Sequence, residues 1–366
     1  MVQKTENPLN SIKTSRIIWP ILIGLGVVAW LLYNEFKGKN LDTDILNQIR
    51  LDRFTLIWLI ISVTLMALRD IGYIIRLRIL TDYKFSLRQT FRIIMLWEFT
   101  SAITPSAIGG TSVAILYLNK EGLSVGKSSA VVMATSFLDE LYFIIMFPLL
   151  FLIINPAFLF IIGEEVINPE MSYINKFFWF AIIGYSIKLL YLSILSYGLF
   201  HNPRGLKWLL LKIFKLPILR RWKYNANDAG TDIINSAREL RAKSLLFWLK
   251  TFAATFVSWT SRYWVVNALF VALALDHYAF NDHFLIFARQ LVMWIMMLIM
   301  PTPGGSGAAE FIFKEFLGDF ISVAGLAVFL SLVWRIATYY PYLFIGVFMF
   351  PRWIKSKFGA EGVKNQ

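Results

Sequence analysis

Pro301-Thr302-Pro303-Gly304-Gly305-Ser306-Gly307-Ala308-Ala309-Glu310 interrupts an otherwise apolar stretch, Phe284–Phe313. A second interruption, Pro105-Ser106-Ala107-Ile108-Gly109-Gly110-Thr111, lies inside the apolar stretch Phe91–Leu118. Prolines and glycines at such density break a helix, and a bilayer tolerates a broken helix only where protein buries it or water reaches it. Broken helices at corresponding places in two halves of a membrane protein point to a transport site.

The rest of the chain supplies the bilayer context. Its 366 residues are 57% hydrophobic and 16% charged, with mean hydropathy +0.60. Soluble domains carry about 25% charge, so this is an integral membrane protein. No cysteine is present, which excludes disulfides and thiolate metal sites. The net charge of +13 reads as Lys and Arg meeting anionic lipid and not as a nucleic-acid footprint. The polar start, Met1–Arg16, precedes an apolar run without a small-residue cleavage site, as expected of a retained anchor.

Six runs are long enough to cross: Ile17–Tyr33, Phe54–Ile75, Ser129–Ile154, Phe177–Phe200, Leu245–Leu275 and Ile321–Phe350. Loop charge decides how the two interrupted stretches behave. Arg204–Lys243 has ten Lys or Arg against three acids, Arg76–Arg92 has five against Asp82, and Arg352–Lys364 has four against Glu361. Asn155–Lys176 has one Lys against Glu164, Glu165 and Glu170, and Asp276–His283 has two acids and no Lys or Arg. Basic loops stay cytoplasmic. Every basic segment falls inside only if residues 91–118 and 284–313 double back as re-entrant hairpins.

The expected fold is therefore all-α: about six transmembrane helices plus two re-entrant broken-helix hairpins in an inverted repeat. Residues 17–350 form one membrane domain, with cytoplasmic segments 1–16 and 351–366. The first hairpin opens from the cytoplasm and the second from outside, and Asp139 and Arg335 each follow their hairpin's first proline by 34 residues. In the cytoplasmic loop 201–244, Gly205–Lys223 reads either as an amphipathic interfacial helix or as a plain basic loop.

Ionisable groups within spans are costly and face a cavity or one another. The candidates are Glu98, Asp139, Glu140, Lys188, Arg262, Arg289, Glu310 and Arg335. Lys188 and Arg262 are expected to reach an interface along their stems. Arg335 sits mid-span, where its fork suits a phosphodiester. Alternatively it locks helices by pairing with Asp139 or Glu310. Asp139 and Glu140 point about 100° apart, so one faces inward. It serves an ion pair or carries a proton. The unwound glycines Gly304, Gly305, Gly307, Gly109 and Gly110, with Thr111, expose backbone N–H groups to an anion or else permit close helix packing. No Lys follows at P-loop spacing. Asp276-His277 and Asp282-His283 read as polar turns and not as a metal site.

These motifs resemble the membrane region of lysylphosphatidylglycerol synthases, a flippase-like family with stand-alone members. The likeness rests on Pro105 through Gly110, Tyr117-Leu118 through Gly122, Asp139, Pro301 through Gly307 with Glu310, and Arg335 followed by Tyr339 and Pro341. It covers about Ile17 to Phe350. Members often carry a charge after the first glycine pair, where this chain has Thr111-Ser112-Val113-Ala114. The resemblance implies translocation of a phospholipid. The aminoacyl-transfer domain of two-domain members has no room here, so no enzyme activity is expected.

The leading expectation is thus a lipid flippase-like transporter of the bacterial inner membrane, moving an anionic phospholipid or lipid-linked headgroup. Its contact residues would be Arg335, Glu310, Gly304, Gly305, Gly307, Asp139, Glu98, Pro105, Gly109, Gly110, Thr111 and Arg289. Competing readings are a small-solute or ion-coupled secondary transporter and a non-catalytic partner of a lipid-modifying enzyme. No cofactor or metal is expected. The partner is membrane phospholipid, with a homo-oligomer or a lipid-biosynthesis partner left open.

Overall fold

A computed structural model describes residues 26, 30, 33, 52–104, 107–160, 176–202, 204–205, 234–274, 276–297, 305–323 and 325–363. These form helices with no strand among the described residues, and the protein is an all-helical membrane protein. The first expected span touches the described residues only at Gly26, Trp30 and Tyr33, all helical and exposed. Pro105, Ser106, Gly304 and most of the loop 205–223 lie outside the described residues.

Helix α1 spans Arg53–Leu80. A tight pair follows, α2 (Leu87–Ile103) and α3 (Ala107–Lys120). Then come α4 (Val125–Ile153), the short α5 (Pro156–Phe160) and α6 (Lys176–Ser196), which ends in a π-helical turn, Tyr197–His201. The second half holds α7 (Leu245–Leu273), α8 (Phe280–Met297), α9 (Ala308–Leu317), α10 (Leu326–Thr338) and α11 (Tyr340–Val363). Among the described residues, four segments are long and apolar enough to cross a membrane: Arg53–Leu80, Val125–Ile153, Phe177–His201 and Leu326–Lys357.

Local chemistry sets the helix starts. Asp52 accepts the Thr55 N–H, and Ser86, Ser124 and Ser244 accept the N–H three residues on, so orphan donors are satisfied where α1, α2, α4 and α7 begin. Gln89 returns the bond to the Ser86 N–H and completes a capping box. After α1 the chain reverses through Asp82 and Tyr83, both left-handed at φ 52° and 56°. That costs about 1–2 kcal/mol per residue; Lys127 and Lys243 converge on the Asp82 side chain at this turn.

These contacts fix one face of the molecule. Lys84 donates to the Gly122 carbonyl at 2.6 Å and Arg92 pairs with Glu121 at 2.7 Å, so the entrance of α2 and the exit of α3 lie together. The α2–α3 pair therefore returns to the side it left. On the opposite face Tyr278 donates to the Phe320 carbonyl at 2.9 Å, and Ser322 bonds Asp276 at 2.7 Å. The α8–α9 pair opens there. Chain direction is inverted between the halves: α1, hairpin, α4 in one, and α7, hairpin, α10–α11 in the other.

Helices α1 and α7 run antiparallel in close contact. A methyl added to Gly72 would lie 2.7 Å from the Ala254 carbonyl, and Ser258 donates to the Arg69 carbonyl at 3.0 Å. Each hairpin has its own buried apolar cluster. One joins α2 and α3 with Leu77, Val131 and Trp353. The other joins α8 and α9 with Phe143, Phe270 and Leu330.

Three expectations need correction. Arg76 does not start a basic loop, because α1 continues to Leu80 and buries it. The last span does not run unbroken from Ile321. A 3-10 turn at Gly318–Phe320 and left-handed Gly325 (φ 79°) precede α10, and helix geometry lapses at Tyr339 before Pro341. The first break is shorter than the motif suggested: Gly109, Gly110 and Thr111 already lie in α3. Gly110 serves packing, since a Cβ there would lie 2.9 Å from the Ser101 Cα across the hairpin.

Candidate functional site

Tyr339 and Arg335 link the end of α2 to the start of α9. The Tyr339 hydroxyl donates to the Ala102 carbonyl, near the end of α2, at 2.9 Å. The Arg335 guanidinium lies 3.7 Å above its ring. Arg335 in turn faces the second hairpin, with Nε 3.1 Å from Glu310 Oε1 and Nη2 3.4 Å from Ser306 Oγ. Burial of this pair is near complete, at 5% exposure for Arg335 and 0% for Glu310. Removing one member of such a pair costs about 3–5 kcal/mol.

The local sequence explains this geometry. Gly305 and Gly307 take φ 69° and 84°, a region that side chains resist. That turn starts α9 so that Glu310, one turn in, folds back and accepts the Gly307 N–H at 2.7 Å. The position expected for a guest anion at this helix start is therefore held by the chain's own carboxylate. Of the two expected partners for Arg335, the structure selects Glu310.

Asp139 belongs to a second constellation. Its Oδ1 lies 2.5 Å from Arg76 Nη1 and accepts from Trp259 Nε1 at 2.7 Å, while Thr255 takes a further Arg76 contact at 3.2 Å. Beside it Glu140 pairs with Lys188 at 2.6 Å, and the ammonium lies 3.4 Å from the Trp294 ring centroid. Lys188 thus stays in the interior instead of reaching an interface: it is 3% exposed, because the carboxylate and the aromatic face together replace its water. Arg262 stacks over Trp259 at 5.7 Å.

A third constellation joins α1, α2 and α11. Arg69 Nη1 contacts Asp70 at 2.7 Å and the Tyr342 hydroxyl at 2.9 Å, and its Nη2 contacts Glu98 at 2.6 Å. The guanidinium lies 4.4 Å over Tyr73, whose ring also supports Arg76 at 4.6 Å. Positions 69, 73 and 76 form one stripe of α1, so the second and third constellations are continuous.

The expected residues thus divide. Arg335, Glu310, Gly305 and Gly307 come together, and the backbone of Ala102 brings the first hairpin to them. Glu98 and Asp139 lie in the two neighbouring constellations. Arg289 braces the outer part of the second hairpin, bonding Asp319 at 2.8 Å and the carbonyls of Phe316 and Phe158 at 2.9 and 3.0 Å. Asp276 and Asp282 hold the Ser322 and Ala279 backbone N–H groups, and His283 meets Asn267 at 2.9 Å. Arg69, Asp70 and Tyr342 are not singled out in the sequence, and Arg76, Ser306 and Tyr339 are named there only as parts of a loop or motif and not as contact residues. For Arg69 and Arg76 the signal that could have found them is the polar stripe within an apolar run at positions 69, 73 and 76, that is i, i+4 and i+7.

Comparison with known proteins adds two findings. The family model described as lysylphosphatidylglycerol synthase TM region matches residues 17–346. A protein named UPF0104 membrane protein from Archaeoglobus fulgidus is 29% identical over 306 residues, covering 80% of this chain and 84% of that protein.

Proposed function

The chain belongs to the lysylphosphatidylglycerol synthase transmembrane-region family, and on that premise we propose that it is a flippase-like transporter that moves an anionic phospholipid between leaflets. The observation that carries this reading is the meeting of two oppositely opening hairpins on the Arg335–Tyr339–Glu310 cluster. A phosphate reaching Arg335 replaces the Glu310 carboxylate as its counter-charge, and Ser306 offers a hydroxyl to the same anion. The acyl chains stay among the exposed apolar side chains of the spans. The displaced Glu310 lets the second hairpin part from α10, and this is the step at which access changes sides.

The surplus of Lys and Arg on the face of Lys84, Lys127 and Lys243 supports a cytoplasmic position for that face, and with it cytoplasmic termini in the bacterial inner membrane. None of the three constellations needs a reacting bond, and transport without catalysis is the role proposed.

Reconstitution tests this. Vesicles containing the protein and a fluorescent anionic phospholipid are quenched from outside, and the quenched fraction reports transfer. Wild type is expected to move phosphatidylglycerol, and Arg335→Gln to slow it at least about tenfold, the worth of one charge-assisted contact. Transfer that is absent in wild type, or identical in the variant, refutes the reading.

A further inference from the structure

We propose that Arg262, lying over Trp259 within α7, holds a phosphate group at the open end of the seam between α1 and α7, a binding position separate from Arg335. The inference rests on the transport reading only for its purpose, since binding here is measurable without transport.

The seam is polar along its length. From α7 it takes Thr251, Thr255 and Ser258, all fully buried and one turn apart on a single stripe of the helix. Thr255 meets Arg76 at 3.2 Å, and Ser258 donates to the Arg69 carbonyl at 3.0 Å. Arg262 follows Ser258 by four residues and is next on that stripe. The exposed residues Leu249, Phe256 and Val257 lie round the other side of the helix. Arg262 therefore points into the protein and away from lipid, yet it is only half-buried.

The three arginines of the seam differ in how they are met. Arg69 is closed by Asp70 and Glu98, and Arg76 by Asp139. Counted with them and Lys188, Arg262 balances Asp70, Glu98, Asp139 and Glu140 in number. It nevertheless has neither an ion pair nor a hydrogen bond among the described residues, and rests on the Trp259 ring at 5.7 Å. A guanidinium presents five N–H donors and no acceptor, and donors left unmet at bilayer depth are costly. Its stem cannot carry it to an interface. At 1.5 Å per residue Arg262 stands about 26 Å along α7 from Leu245 and about 17 Å from Leu273. Helical side chains lean toward the helix start, and this one lies back over Trp259, away from the nearer end.

The platform beneath it is fixed. Trp259 donates its indole N–H to Asp139 at 2.7 Å and meets the Phe143 ring at 4.7 Å. That ring sets where the guanidinium stands and leaves its N–H edges for a ligand. Two such N–H groups match two phosphate oxygens, in a lipid phosphodiester and in free phosphate alike. A further donor is close by: the buried Tyr263 hydroxyl has no hydrogen-bond partner, and of the charged groups Arg262 acts on it most strongly. An anion reaching Arg335 must displace Glu310, whereas one reaching Arg262 breaks no ion pair. Arg262 is thus the position of first capture.

Arginine footprinting of the purified full chain in dodecyl maltoside, a detergent without phosphate, tests the site. Phenylglyoxal is applied and the modified arginines are identified by mass. Wild type is expected to react at Arg262, while Arg69 and Arg76, closed by carboxylates, stay unreactive. Saturating phosphatidylglycerol should slow the Arg262 reaction at least about tenfold. Protection by phosphatidylglycerol alone assigns the site to lipid, and equal protection by inorganic phosphate keeps the site but assigns it to a soluble anion. Protection by neither overturns the proposal, and so does an Arg262 that never reacts. Arg262→Gln should retain one fewer phosphatidylglycerol than wild type by native mass spectrometry, and equal retention counts against the site. The wild-type footprint decides even where the variant fails to fold. Lipid transfer with Arg262 unprotected removes this site and leaves the transport reading standing, and protection without transfer does the reverse.

Discussion

Tyr339 and Ala102 are 237 residues apart in sequence, and a 2.9 Å hydrogen bond between them closes the first hairpin onto the break in the last span. The same ring carries the Arg335 guanidinium, so one aromatic side chain serves both hairpins. Tyr339→Phe keeps the ring and loses the hydroxyl. The expected cost is about 1 kcal/mol in stability, with lipid transfer accelerated because the closed tip is weakened. Thermal unfolding in detergent alongside the vesicle assay checks both signs. Slower transfer would count against a closing role.

Glu310→Gln keeps an acceptor for the Gly307 N–H but removes the charge that competes for Arg335. Anionic lipid should bind more tightly to this variant, while turnover falls because release is slowed. Native mass spectrometry of retained lipid reads the first effect. A variant retaining less phosphatidylglycerol than wild type would refute displacement of Glu310 by phosphate.

The Arg76–Asp139 pair is expected to be structural. Arg76→Leu or Asp139→Leu alone leaves a buried charge without its partner and costs about 3–5 kcal/mol, whereas the double variant recovers most of that. Denaturation of the three variants measures the coupling. Additive losses would show that the two side chains act separately.

Glycine spacing makes a graded prediction. Gly72→Ala places a methyl 2.7 Å from the Ala254 carbonyl, and Gly110→Ala places one 2.9 Å from the Ser101 Cα. Each should destabilise by about 1–3 kcal/mol through overpacking. Gly318→Ala meets nothing within 4 Å and should be near neutral. Melting temperatures of the three variants rank the effect.

The chain has no cysteine, so single cysteines can be placed without background. Substitutions at Lys84 and Lys127 should react with an impermeant reagent from one side of the membrane, and those at Asp276 and Ser322 from the other. Labelling of all four from one side would remove the opposed-hairpin topology.

Much of this is legible in the sequence. Loop charge leads to the expectation that both interrupted stretches turn back; the structure adds that Arg92 pairs with Glu121 and that Tyr278 bonds the Phe320 carbonyl. The Arg335–Glu310 pair was one of two readings left open. Residue spacing could not choose Glu310 over Asp139, because the choice depends on a glycine turn that folds Glu310 onto its own helix start. Arg69 and Asp70 lay within an apolar run that hides single polar residues. Arg76 was assigned to a loop because charge at a helix end and charge beyond it look alike in sequence. The role of Gly110 needed the distance across the hairpin, which composition does not hold.

The lapse at Tyr339 divides the last span between two territories. Above it α10 packs with Phe313 in the cluster of the second hairpin, and below it α11 packs with Phe99, while Trp353 and Lys357 reach Glu121 at the first hairpin's mouth. A single residue is thus the knuckle of the molecule. Because that residue ties the α10 half to one apolar cluster and the α11 half to the other, a side chain lost there is felt at both hairpins at once.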